Sequence, residues 1–236
     1  MSYPQTSFTD LLGDLAAMAG LRIADLGDEQ ELLVRYLNAA TKWAWRDYME
    51  VFAHPATVTS DELTVTDGVL TRDQLEESDW ASLWSADPRL SREARRYRPT
   101  VDGDGWHLGT SITTVYAFWR LALPKFTGVE VVPATDYEAG DRVWDADDSG
   151  HVYRCKVTGA LGSELSDATK WERVTLPEVF LNAVLHYARY LWLQAKALPK
   201  NAESHLSLAV DALESEMGRV IDDTGLAPVW LQLNYR

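Results

Sequence analysis

The chain has 236 residues, 46% hydrophobic and 25% charged, with 36 acids against 22 Lys and Arg and a formal charge of −14. A chain of this size buries a core without disulfides or a structural metal, and its single cysteine, Cys155, excludes an internal disulfide framework. The acidic balance disfavours a surface that grips nucleic acid, because such affinity depends on Lys and Arg neutralising phosphates.

The opening Met-Ser-Tyr-Pro-Gln-Thr has no basic segment followed by an apolar core, so no signal peptide is expected. From Phe8 to Ala19, Leu11, Leu12, Leu15 and Met18 recur at three- and four-residue spacings before Gly20, which predicts a short helix. Asp28 with Glu31 predicts a capping box opening a longer helix to about Phe52. Leu33, Tyr36, Leu37, Ala40, Ala44, Tyr48 and Val51 would form one stripe, and His54-Pro55 the stop. Trp43 and Trp45 cannot both lie on that stripe, so at least one packs against another element or another subunit. Val58, the alternation of Leu63 and Val65 and the pair Asp67-Gly68 predict a β-hairpin over Ala56 to Thr71. Between Thr71 and Arg98, Trp80 and Trp84 fall at helical spacing. The acidic run Glu76-Glu77-Ser78-Asp79 precedes Arg92, Arg95 and Arg96, a separation that reads as a solvated face or as complementarity between subunits. Thr100 to Leu108 and Thr113 to Leu121 read as strands around a turn at Gly109-Thr110-Ser111, the second apolar on nearly both sides and so covered on both.

The segment Thr135 to Val174 is dense in strand formers and turns and predicts a compact three-stranded unit containing Tyr137, Trp144, Tyr153 and Trp171. As an insertion whose ends can be rejoined, it is expected to be dispensable for the rest of the fold. Asp145-Ala-Asp147-Asp148-Ser149-Gly150 imitates the start of a calcium loop, but the twelfth position is Lys156, where bidentate coordination needs a carboxylate. A plain Asp/Ser/Gly turn is expected there. His151 and Cys155 lie near each other on one strand with no second His or Cys close by, so no zinc site is expected. There is no Gly-x-Ser-x-Gly elbow, phosphate loop or dinucleotide fingerprint, and the dispersed histidines have no nucleophile at motif spacing. No catalytic residue, metal or cofactor is expected.

After the insertion, Thr175 and Glu178 flank Pro177 as a helix start. Phe180, Ala183, Val184, Tyr187, Leu191 and Gln194 mark a helix to about Ala197. Its apolar run, Val179 to Leu198, is interrupted by Asn182, His186, Arg189 and Lys196 and reads as a soluble helix rather than a membrane span. Pro199-Lys200-Asn201 breaks the chain. Leu206, Val210, Leu213, Met217 and Val220 then give the seam of two antiparallel helices. The tail from Gly225 to Arg236 is apolar and extended, with more hydrophobic surface than a solvated terminus keeps.

The pattern Tyr137-x-x-Gly140-Asp141-x-Val143-Trp144, a tight turn, Tyr153-x-Cys155 and then Lys170-Trp171 resembles small carbohydrate-binding modules of the chitin-binding type. It stands between Phe118-Trp-Arg-Leu-Ala-Leu-Pro-Lys-Phe-Thr-Gly128 and Leu176-Pro-Glu-Val-Phe180. That order of segments, over the C-terminal half, is similar to head-to-tail adaptor (neck connector) proteins of long-tailed bacteriophages that carry such a module as an insertion. The resemblance implies an α+β fold: a helical adaptor core with β-hairpin elements over residues 1–134, the inserted module over 135–174, a helical hairpin over 175–224 and an extended tail over 225–236. It also implies a virion protein of the neck, without enzymatic activity, assembled in the host cytoplasm. Such a protein forms a homo-oligomeric ring, twelve-fold to match the portal, between the portal protein and a tail-side neck or stopper protein. DNA passes through its channel without sequence-specific binding, which an acidic wall would suit, and no membrane is involved. By position, Trp230, Leu231, Leu233 and Tyr235 are the anchors to the portal or a neighbouring subunit. The module's rings admit two readings, stacking on sugar faces or forming the module core. Tyr137, Tyr153 and Trp171 fall at fold-defining positions, and Trp144 is the better candidate for an exposed platform. The alternative function is a carbohydrate-binding phage tail or cell-wall-recognition protein, which a glycan-dependent shift in tryptophan fluorescence would distinguish.

Overall fold

Strand β1 (Gln5–Thr6) leads into helix α1 (Phe8–Ala19), whose limits match the sequence expectation. The computed structural model describes residues 4–47, 58–71, 80–87, 93–103 and 105–224. Ser7 is extended and caps α1, its Oγ accepting from the Asp10 N–H at 3.0 Å, while Gly20 leaves the helix at φ 75°, a left-handed conformation that costs glycine no Cβ clash. Helix α2 (Glu29–Lys42) begins differently from the expectation. Asp28 is itself helical and makes no side-chain cap. A 3-10 turn over Ile23–Asp25 feeds the helix instead, and the N–H groups of Glu29 and Gln30 bond to the carbonyls of Leu26 and Gly27, so no capping box forms. The helix widens into a π turn over Trp43–Asp47. Its expected continuation to Phe52 lies outside the described residues.

The chain folds as two units, residues 1–48 with 123–216 and residues 49–122 with 217–236. The second holds β2 (Val58–Thr64), β3 (Val69–Thr71), β4 (Trp80–Trp84), β5 (Arg96–Tyr97), β6 (Thr100–Val101), β7 (Gly105–His107) and β8 (Thr114–Arg120). They form two antiparallel sheets, in the orders β2-β8-β4-β5 and β3-β7-β6. The Asp67-Gly68 turn is present, both residues having positive φ, and Thr66 and Val69 exchange backbone hydrogen bonds across it. The expected hairpin is not. Beyond that bridge the strands part into different sheets: β2 pairs along its length with β8, Val58 opposite Arg120 through Thr64 opposite Thr114, and β3 pairs with β7. A local turn cannot specify partners that lie fifty residues on. Trp80 and Trp84, at helical spacing, lie instead on β4, which pairs with β8 through a bulge between Trp80 and Ser82. Val65, Leu70, Leu83, Val115, Ala117 and Trp119 form the core of this unit, while Phe118 is buried on the other face of β8, as expected of a strand apolar on both sides.

The first unit adds β9 (Asp136–Tyr137), β10 (Arg142–Asp145), β11 (His151–Cys155), β12 (Ala160–Leu161), β13 (Trp171–Val174) and β14 (Leu176–Pro177), followed by helix α3 (Leu181–Ala195) and the part up to residue 216 of helix α4 (Pro199–Thr224). Pro177 does not start a helix. It is extended and pairs with Gln5, so β14 and β1 form a two-stranded ladder, and a 3-10 turn over Glu178–Phe180 delays α3. Pro199, expected to break the chain, opens α4, where a missing N–H costs nothing. Helix α3 packs chiefly on α2 and then on α1. Phe8, Leu11, Leu12 and Leu15 of α1, Leu33 and Leu37 of α2, and Phe180, Ala183, Val184 and Ala188 are all fully buried. Each large apolar side chain so buried contributes about 1.5 to 3 kcal/mol. Trp43 stacks on Tyr187, centroids 4.1 Å apart and planes within 5°, and Trp45 meets Phe180 at 5.4 Å. Both tryptophans therefore pack on another element of the same chain. On α4 the buried positions are Ala202, Ala209 and Leu213, whereas Leu206 and Val210 of the expected stripe are half-buried. The fold is α+β, and among the described residues no helix is long and apolar enough to cross a membrane.

Candidate functional site

The module is built on the antiparallel sheet β10-β11-β13, with β9 and β12 paired beside it. Alternation along β10 sends Val143 and Trp144 to opposite faces. Val143 joins Cys155, Ala160 and Trp171 in a core flanked by Val131, Tyr137, Tyr153 and Leu165. The chain before the module also belongs to it: the Trp144 N–H donates to the Val129 carbonyl at 2.7 Å, and the Val131 N–H donates to the Trp144 carbonyl at 2.9 Å. Asp145 closes the β10–β11 turn, its carboxylate accepting from the Asp148 N–H and the Ser149 hydroxyl. The calcium-like sequence thus uses its first carboxylate as a turn brace. Cys155 Sγ donates to the Val157 carbonyl at 3.0 Å.

All four candidate rings have their polar atoms engaged inside the molecule. Trp171 is 2% exposed and its indole N–H donates to the Leu161 carbonyl; the Tyr137 hydroxyl accepts from the Val132 N–H; the Tyr153 hydroxyl bonds Ser149 Oγ. Tyr137 also meets Trp171 edge-on at 5.4 Å. Trp144 overturns its expectation of exposure. It is 6% exposed, edge-on to Phe8 at 5.4 Å, and its indole N–H reaches Thr9 Oγ1 at 3.3 Å. The far face of the module sheet is turned onto the start of α1, where Phe8 also stacks on Phe126, and the Thr9 N–H donates to the Gly150 carbonyl at 2.9 Å. Asn38 of α2 clasps the Phe126 backbone from both sides, donating to its carbonyl and accepting from its N–H. Trp144 and Trp171 are buried, Tyr137 and Tyr153 are half-buried, and the module is docked on α1. The sequence could not show this, since the surface covering Trp144 is 135 residues away.

A polar groove of about 510 Å³ runs along this seam, lined among others by Ser7, Asp10, Asp147, Asp148, His151 and Arg173. Arg173 Nη2 lies 3.0 Å from His151 Nδ1. Arginine only donates, so that nitrogen accepts and the imidazole is neutral, its proton on Nε2. Burial, and then the Arg173 charge, push the His151 pKa down. The Ser7 hydroxyl is committed to Asp10 Oδ2 at 2.6 Å. The groove therefore presents carboxylates, a guanidinium and a hydroxyl already bonded to a carboxylate.

A second constellation, unmarked by any motif, lies where α3 faces α4. His186 Nδ1 and His205 Nδ1 are 3.0 Å apart, and burial depresses the pKa of both. One turn along α3, the Arg189 guanidinium lies over the Trp192 ring, 4.2 Å from its centroid. The one signal the sequence held was an acid-free stretch, residues 181–195, in an acidic chain. The expected anchors Trp230, Leu231, Leu233 and Tyr235 lie outside the described residues. No protein-family model matches the chain, and a search of curated proteins finds no match.

Proposed function

We propose that the chain is a structural subunit of a phage neck: a head-to-tail adaptor that assembles as a ring beneath the portal and continues the DNA channel toward the tail. The observation that carries this reading is the order of parts around the helical core. Helices α1, α2 and α3 form one packed group, and the β module is spliced into the chain between them, the layout of the adaptor proteins that the sequence resembles. The formal charge of −14 supports a channel wall that does not hold DNA. In this reading the portal and a tail-side stopper are the ring's partners, and residues 225–236 reach the portal or the next subunit. The burial of Trp144 and Trp171 removes the main support for the glycan-binding alternative. Size-exclusion chromatography with mass determination, on the chain alone and mixed with portal protein from the same source, tests the proposal. A cyclic species of about twelve chains, alone or on the portal, is expected. A monomer under both conditions defeats it.

A further inference from the structure

We propose that the sheet β2-β8-β4-β5 joins copies of this chain edge to edge, the basic strand β5 of one copy meeting the acidic strand β2 of the next. The inference rests on the ring assembly proposed above and names one of its contacts. Strands β2 and β5 are the outer strands of this sheet, and their charges are opposite. Arg95, Arg96 and Arg98 cluster on and beside β5, with Arg95 and Arg98 exposed. On β2, Asp61 and Glu62 are both exposed, and the chain has no Lys or Arg between Arg46 and Arg72. Consecutive residues of a strand point to opposite faces, so each edge shows its charge on both faces of the sheet.

Little within the chain answers these charges. Among the described residues neither Arg95, Arg98 nor Asp61 has an ion-pair partner, and Glu62 accepts from the Tyr116 hydroxyl at 3.1 Å. Burial, and then the neighbouring Arg98 charge, push the Arg96 pKa down, so like charge is crowded on this edge. Sheet edges are commonly guarded by charge against pairing with other chains, and one sign on both edges would keep copies apart. Opposite signs do the reverse for one particular pairing, because each edge then attracts the other edge of a second copy. Strand direction fits as well. Every pair in the sheet is antiparallel, so β2 and β5 run in opposite directions, and laying one copy beside the next continues the antiparallel order across the boundary. Strand β5 is only two residues long, so the contact depends on side-chain charge rather than on an extended ladder. A contact between unlike surfaces of identical chains is also the kind that closes into rings.

The test reverses one edge at a time. Sedimentation velocity over a concentration series, at low and high salt, compares the wild-type chain with Arg95→Glu/Arg98→Glu, with Asp61→Lys/Glu62→Lys and with an equal mixture of the two variants. Association of the wild type should weaken as salt rises. Each variant alone, with net charge of one sign on both edges, should associate at least about tenfold more weakly. The mixture should recover association, because every edge of one variant then meets an opposite edge of the other. Recovery on mixing cannot come from a damaged fold. Should circular dichroism show a reversed variant to be misfolded, Arg95→Gln/Arg98→Gln and Asp61→Asn/Glu62→Gln carry the test, each expected to lower the association constant several fold. Variants that associate like the wild type overturn the contact and leave the ring reading standing. Folded variants that lose association and do not regain it on mixing also overturn it, since the two edges then do not meet. A wild-type chain that stays monomeric at low salt overturns the contact by itself, whereas the ring reading fails only if portal protein also leaves it monomeric.

Discussion

Trp144 shows how one side chain joins two parts of the molecule. Its β10 neighbour Val143 belongs to the module's own core, while its ring closes over Phe8. Trp144→Ala should cost about 3 to 5 kcal/mol in urea denaturation, and Trp144→Phe, which keeps the edge-on contact but loses the bond to Thr9, about 0.5 to 1.5 kcal/mol. Equal and small losses in both would mean that the ring is not packed as described. The histidines give a dependence on pH. Burial lowers the pKa of His186 and His205, and His151 is lowered by burial and Arg173. In the unfolded chain all three take up protons around the ordinary value of about 6.5, while the folded chain resists. Their contribution to stability is therefore complete at pH 7.5 and is lost progressively as pH falls below about 6.5 and through the folded values. Thermal melting at pH 7.5, 6.5 and 5.5 should show this fall, shallower in His205→Gln; an unchanged slope in that variant would remove the pair as its source. The sequence announced Tyr137 and Trp171 as module residues because turn and strand signals surround them. It pointed the wrong way for Trp144, expected to be exposed, because the surface that covers it comes from Phe8 and Thr9, far away in the chain.

Local chemistry fixed some elements completely. Ser7 and Gly20 bound α1 because a cap and a left-handed exit act within a few residues. Strand partnership did not yield in the same way: Asp67-Gly68 marks a tight turn, yet β2 and β3 choose β8 and β7. The turn is still required there. A Cβ on Gly68 would stand 2.6 Å from the Gly109 carbonyl carbon, at φ +81°, so Gly68→Ala should destabilise the second unit by about 1 to 3 kcal/mol, seen as loss of near-ultraviolet signal at lower urea. For the module, docking on α1 revises the expectation that it can be removed freely. Replacing residues 135–174 with a Gly/Ser linker should preserve helical circular dichroism but lower the melting temperature by roughly 5 to 10 °C, because Phe8 loses its cover. An unchanged melting temperature would show that the seam contributes nothing.

Across the whole molecule, composition spoke to class rather than to arrangement: the acid excess argued against a DNA-gripping surface, while the division into two units follows from contacts that no periodicity reveals. Under the adaptor reading, deleting residues 226–236 should weaken capture by immobilised portal protein while the helical signal survives; undiminished capture would place the anchor elsewhere. The ladder of β1 on β14 has a temporal side. Gln5 and Thr6 meet their partners only at Pro177 and Leu176, and α1 and α2 are covered by α3, which follows directly. During synthesis the first two helices emerge long before the surface that buries them exists. At about 5 to 20 residues per second, their apolar stripes wait on the order of ten to thirty seconds. The strands of the second unit, all drawn from residues 58–120, can close within that interval, before the helices made first meet the surface that covers them.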